Sequence, residues 1–294
     1  MKRTITLTTD FGLADGYIGA MKGVIVGINP NAILVDLAHE INAQDVFEAA
    51  FVLGTSYSYF PPNAIHIVVV DPGVGSERAA LAIRTPMGTF VGPDNGVFTW
   101  PVYDSIDRAR KPGQHRIDIP DGGPIEVVKL TEAKFWRPNP SSTFHGRDIF
   151  APVAAYLSLG VSLESLGPRL SDVLVLPLPV PRKRSPTQTE GEILRKDRFG
   201  NLITNLRMSH IQELGTEMSF RLAGQEIQGL SRSYQEKSGL LALVGSSGYI
   251  EIALHNGSAA ESLGMGPGDK VIAVGPTPPR NRGRVEPPRS HSDA

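Results

Sequence analysis

Ala64-Ile65-His66-Ile67-Val68-Val69-Val70-Asp71-Pro72-Gly73-Val74-Gly75 is the stretch on which the fold turns. Residues 64–70 are nearly all apolar and rich in β-branched side chains. So short and continuous an apolar run reads as a strand buried on both faces, as in a parallel sheet covered by helices. The aspartate and glycines that follow end it in a turn. Working outward, Ile5–Thr8 and Ala32–Leu37 read as two more strands. Between them Tyr17–Ile28 carries Ile18, Met21, Ile25 and Ile28 at helical spacing. Asp45–Tyr59 reads as a second helix, closed by Phe60-Pro61-Pro62, and Arg147–Leu159 as another, ending at Gly160. Leu81–Arg84, Thr89–Val91 and Ile125–Leu130 add strands. This alternation predicts an α/β fold over 1–175, with a mostly parallel sheet and helices on both faces.

The pattern then changes. Residues 176–188 are proline-rich and hold Arg182-Lys183-Arg184, which reads as a stiff, solvated linker. Over 189–276 come short strand-like runs separated by glycine and asparagine turns, with only Ala259–Leu263 helical in pattern. They predict a smaller C-terminal antiparallel β-barrel domain. Residues 277–294 read as a flexible tail, and Ala109–Gly123 as a polar surface insertion. The 294 residues include no cysteine, which excludes disulfides, thiolate metal sites and a cysteine nucleophile. A formal net charge of -1 argues against a general nucleic-acid binder. With no signal-peptide pattern and no apolar run of membrane-spanning length, a cytoplasmic protein is expected.

Asp10, Asp36 and Asp71 each follow a predicted strand. In open parallel sheets ligands bind beyond the carboxyl ends of the strands. The alternative is that each aspartate merely caps the next turn; that reading is strong for Asp36 and weaker for Asp10 and Asp71, which adjoin glycine-rich turns. No phosphate cradle is present, and a strand-end aspartate suits paired ribose hydroxyls better than a pyrophosphate. His145 stands on a helix-entry loop, where it can titrate near neutral pH or be a simple surface side chain. In the second half, Lys196-Asp197-Arg198-Phe199-Gly200-Asn201 is hairpin chemistry with one aromatic that a turn does not need. Ser246-Ser247-Gly248-Tyr249, followed by Glu251, is a second polar turn. Asp36 and His39 form the best candidate metal pair, on weak spacing.

Thr9-Asp10-Phe11-Gly12, Asp71–Gly75 with Arg78, Gly92-Pro93-Asp94-Asn95-Gly96, Phe144-His145-Gly146-Arg147-Asp148, Asp197–Asn201 and Ser246–Glu251 occur in one order. Over about residues 3 to 275 the chain resembles the adenosine-forming S-adenosylmethionine hydrolases, relatives of the fluorinase and chlorinase enzymes. The resemblance implies a homotrimer with sites at subunit interfaces, and neither cofactor nor metal. It implies Asp71, Arg78 and His145 as the catalytic set. Asp10 would hold the ribose hydroxyls, and Asp197 the methionine ammonium. Phe199 and Asn201 match positions at the adenine; Ser246, Glu251 and Leu254 lie on segments lining the ligand. The halogenases carry a halide-binding serine where Gly146 stands, and a longer loop after the third strand; both departures favour water over halide.

The implied reaction is attack of water on the ribose 5′ carbon of S-adenosyl-L-methionine, giving adenosine and L-methionine. A neutral thioether leaves without a proton, so the demand falls on the water. Competing expectations are a chlorinase-like halogenase, a metal-dependent phosphohydrolase and a binding protein without turnover.

Overall fold

The computed structural model describes residues 2–106 and 113–276, which fall into two compact units that meet between Leu178 and Pro179 in the chain. The 277–294 tail and the first part of the 109–123 insertion lie outside the described residues.

In the first unit, β1 (Thr4–Thr9), β2 (Ile33–Ala38), β3 (Ile65–Val69), β4 (Ala80–Thr85), β5 (Gly88–Pro93) and β7 (Glu126–Lys129) form one sheet in the order β2-β1-β3-β5-β4-β7. β1 pairs in parallel with β2 and β3, and β3 with β5; β4 runs antiparallel to both β5 and β7. The sheet is thus mixed, with its parallel part at β2, β1, β3 and β5. Residue alternation splits the core. Ile5, Leu7, Ile65, Ile67 and Val69 share one cluster with Met21 and Ile25 of α1 (Tyr17–Ile28) and with Val153, Ala154 and Leu157 of a later helix. Burying each large aliphatic side chain is worth about 1.5–3 kcal/mol. The other face carries Thr6, Thr8, His66 and Phe90, all fully buried. Phe51 of α2 (Val46–Gly54) and Trp100 of α3 (Thr99–Ser105) pack edge to face at 5.8 Å. Asp45 caps α2 by accepting from the Glu48 amide at 2.8 Å.

The helix predicted over 147–159 starts differently. Residues Gly146–Phe150 form a π turn, and the α-helix proper, α4, spans Ala151–Ser158. Pro152 lacks an N–H and so removes a rung of the ladder where the wider turn sits.

Two readings of this unit need correction. Asp36 lies inside β2 rather than after it, because pairing with β1 continues to Ala38. The 109–123 segment is not purely a surface insertion: β6 (Arg116–Asp118) pairs antiparallel with β8 (Asp172–Leu174), and Ile117 and Ile119 are buried. Asp94 fastens this ribbon by accepting from the Leu174 amide at 2.8 Å, with Arg116 bidentate on Asp172 at 2.7 Å.

The second unit is an antiparallel, nearly closed barrel-like sheet. It holds β9 (Arg182–Ser185), β10 (Gln188–Lys196), β11 (Leu202–Arg207), β12 (Ser219–Leu222), β13 (Gln225–Gln228), β14 (Leu240–Val244), β15 (Tyr249–Leu254) and β16 (Lys270–Val274). The order is β13-β12-β16-β10-β11-β15-β14, with β9 also on β10. The basic cluster at 182–184 therefore sits on a strand within the stretch expected as linker; Arg184 pairs with Glu190 at 2.6 Å. Two short helices, α5 (Met208–Ile211) and α6 (Ala259–Leu263), complete the unit. Among the described residues no helix is long and apolar enough to cross a membrane.

Candidate active site

The parallel part of the first sheet ends at a cavity of about 380 Å³. Its lining includes Asp10 after β1, Val69 and Asp71 at the end of β3, and Phe144, His145 and Gly146 at the π turn. Asp10 and Asp71 thus stand where strand-end carboxylates meet ligands. Asn95 holds the end of β3 from behind, donating its Nδ2 to the Val70 carbonyl at 2.8 Å.

Arg78 joins the site from a residue the strand pattern could not place. Its Nε donates to Asp71 Oδ1 at 2.9 Å, its Nη2 to Asp71 Oδ2 and also to His145 Nδ1 at 2.8 Å. Asp71 and Arg78 are both nearly buried, with side chains 4% and 10% exposed, so the pair is shielded from solvent screening. A guanidinium can only donate, so His145 Nδ1 must accept, and the neutral ring carries its proton on Nε2. Burial, and next the positive charge of Arg78, push the His145 pKa below its ordinary value despite Asp71 and Asp148.

The three groups come from two loops held in backbone contact. At Gly75, where φ is +77°, a β-carbon would stand 2.5 Å from the Ser142 carbonyl oxygen. Only glycine suits both that conformation and that approach. The far loop is locked by Asp148, 1% exposed, which takes Arg147 at 2.7 and 2.8 Å, Arg137 at 3.2 Å and the Ser141 amide at 2.9 Å. At Gly146 a β-carbon would meet Met21, Val69 and Phe144 at 3.2 to 3.4 Å, so a serine there would crowd the wall.

Asp10 accepts the Gln44 amide at 2.8 Å, and Gln44 holds a left-handed φ of 66° to supply it. Phe11, Tyr17 and Phe144 form a triangle of rings 5.3 to 5.7 Å apart on the cavity wall. Sequence reasoning missed these aromatics as site residues, although their crowding beside Gly12 and Gly146 was a signal. For Gln44 the sequence carried none.

Asp36 and His39 do meet, at 2.9 Å, but as a side-chain contact whose carboxylate also accepts Lys22 Nζ at 2.6 Å. Burial pushes the Asp36 pKa up, but the bonds from His39 and Lys22 outweigh it and hold it low. Among the described residues no three His, Asp or Glu side chains converge as metal ligands.

The second unit assembles its own group. Asp197 Oδ1 accepts the Phe199 and Asn201 amides at 2.9 Å, and Oδ2 accepts Asn201 Nδ2 at 2.9 Å. This Asx turn buries Asn201 and leaves Phe199 79% exposed at its tip. Glu251 is buried on β15 and accepts from the Tyr234 hydroxyl at 2.8 Å. Burial raises its pKa; Tyr234 lowers it, and the charge of Asp197 raises it further. Tyr234 was not predicted, since it stands in a stretch without periodicity. Ser246 is exposed on the β14–β15 turn, and Leu254 half-buried at the end of β15.

The SAM hydroxide adenosyltransferase N-terminal domain matches residues 5–167, and the C-terminal domain of the same family matches 191–272. A protein of Salinispora tropica named (R)-S-adenosyl-L-methionine hydrolase is 37% identical over 91% of this chain and 96% of its own. One of the same name from Thermus thermophilus is 37% identical over 92% and 98%. A fluorinase of an Actinoplanes species is more distant, 27% identical over 72% and 74%. The crystal structure of an uncharacterized conserved protein from Thermotoga maritima superposes with a TM-score of 0.80 at 33% identity, covering 92% of this chain and 99% of that one. This chain therefore belongs to the SAM hydroxide adenosyltransferase family.

Proposed function

We propose that the protein hydrolyses S-adenosyl-L-methionine to adenosine and L-methionine. The observation that carries this reading is Arg78 bridging Asp71 and His145, two residues that line one cavity with Asp10. The sulfonium leaves as a neutral thioether, so the site needs no acid for the leaving group. What it must do is hold one water in line with the 5′ carbon and favour the charge of a developing hydroxide. Arg78 supplies that charge. His145, with Nδ1 committed to Arg78, offers its remaining N–H and orients the water by donating. The Asp71 oxygens keep lone pairs after binding Arg78, so the carboxylate is the group left to draw off the water proton. In this reading Asp10 takes the ribose hydroxyls, Asp197 the methionine ammonium, Phe199 and Asn201 the adenine, and Ser246, Glu251 and Leu254 line the ligand. The unit of function is a homotrimer with sites at subunit interfaces, which light scattering tests directly.

The deciding experiment is incubation with each sulfonium epimer and chromatography of the products. Adenosine plus methionine, faster from the (R) form for which the relatives are named, is the expected result. A halogenated nucleoside formed only with halide would make the protein a halogenase. Activity abolished by EDTA and restored by a divalent ion would favour metal chemistry. Tight binding with unchanged substrate would leave only a sensor.

A further inference from the structure

His39 is 5% exposed and is used by nothing in the mechanism above. Its Nδ1 lies 2.9 Å from the Thr9 hydroxyl, and its Nε2 2.9 Å from Asp36 Oδ1. The ring thus lies between the Thr9 hydroxyl, to which it is hydrogen-bonded, and the Asp36 carboxylate. Thr9 Oγ1 in turn accepts the Phe11 amide at 3.3 Å, while the His39 carbonyl accepts the Gly12 amide at 2.8 Å. At the outer end Lys22 donates to Asp36 Oδ2 at 2.6 Å. Contacts of 2.6 to 3.3 Å thus link Lys22, Asp36, His39, Thr9 and Phe11 in one chain. The chain clasps both sides of a single residue, Asp10, whose own carboxylate is further fixed by the Gln44 amide.

We infer that His39 is a positioning residue for Asp10: it sets the 9–12 turn so that the carboxylate and Phe11 face the cavity before substrate arrives. The inference rests on the reading of Asp10 as the ribose-binding group. An alternative is that His39 only supports the packing of β1 against β2. The two differ in what they predict, because a preorganised carboxylate acts on substrate binding whereas packing acts on stability alone.

The test uses Thr9→Val and His39→Phe, which keep shape and remove the bonds, with Thr9→Ser as the conservative partner. For the first two, KM for S-adenosylmethionine is expected to rise about tenfold with kcat within about twofold, and Thr9→Ser to recover most of the loss. In an Asp10→Asn background, His39→Phe is expected to cost little more, since the group it positions is already gone. Amide hydrogen exchange at Phe11 and Gly12 is expected to speed up in Thr9→Val and return toward wild type in Thr9→Ser. Unchanged exchange, an equal loss in the Asp10→Asn background, or lowered stability with an unmoved KM would each overturn the positioning role. A wild-type protein inert toward S-adenosylmethionine would sink the hydrolase reading instead; the exchange comparison would still decide whether His39 orders the turn.

Discussion

Arg78 donates twice to a carboxylate and once to an imidazole, and no other side chain type offers three such donors from one planar, charged head. Arg78→Ala is expected to lower kcat by roughly 10²–10³-fold while substrate affinity measured by calorimetry changes little. Equal loss of both would remove Arg78 from the chemistry. His145 yields a second prediction. Because its pKa lies below the ordinary histidine value, through burial and then Arg78, the ring is neutral at pH 7. Activity should therefore be level around neutrality and fall only on an acid limb with its midpoint below 6.5, as protonation of Nδ1 breaks the bond to Arg78. His145→Gln keeps an N–H and cannot titrate; it is expected to retain activity within roughly tenfold and lose the acid limb, whereas His145→Leu costs roughly 10²-fold. A rate profile that keeps its acid limb in His145→Gln would assign that limb elsewhere.

At the scale of elements, the site depends on the 71–78 loop meeting the 141–146 loop. Gly75→Ala puts a methyl into the Ser142 carbonyl and strains a left-handed residue. A stability loss of about 1–3 kcal/mol in denaturant melts, with a matching fall in kcat, is expected. An unchanged rate would mean the contact does not set the trio. This contact also explains what could be read in advance. Asp71 was legible because a strand ending in aspartate and glycine announces itself. Arg78 was legible only through family likeness, because its role depends on where a second loop arrives. The direction of β4 and β7 was hidden, since apolar alternation is the same for parallel and antiparallel strands. The strands β6, β8 and β9 are too short to show a period, and each exists only because a partner distant or bulged in register completes it. The turn at Asp197, by contrast, was legible as turn chemistry because its bonds are local.

For the whole molecule, the face of the first sheet away from α1 holds His66, fully buried, stacked on Phe90 at 5.0 Å and bonded to Thr6 at 2.9 Å. Burial pushes its pKa down to about 4. The unfolded chain binds that proton near pH 6.5, so acid favours unfolding between those values. Stability from this group is complete above pH 6.5 and declines as pH falls toward 4. With the folded value at about 4, the loss is about 2 kcal/mol by pH 5. Urea melts at pH 7.5 and pH 5 should show this difference in the wild type and a reduced one in His66→Leu; an identical slope in both would place the acid sensitivity in other groups.

The close approach of Gly75 to Ser142 has a further consequence. It acts as a drawstring on the chain, cinching the neck of a long loop whose body contains β4, β5, α3, β6 and β7. The reactive trio sits beside the neck, while β5, β4 and β7 of the body lie in the sheet and Asn95 braces the end of β3. Insertions or losses between α3 and β7 can therefore accumulate without moving Asp71, Arg78 or His145, provided the drawstring stays tight. Variation in length between α3 and β7 is then no guide to variation in chemistry, whereas a side chain at position 75 would be.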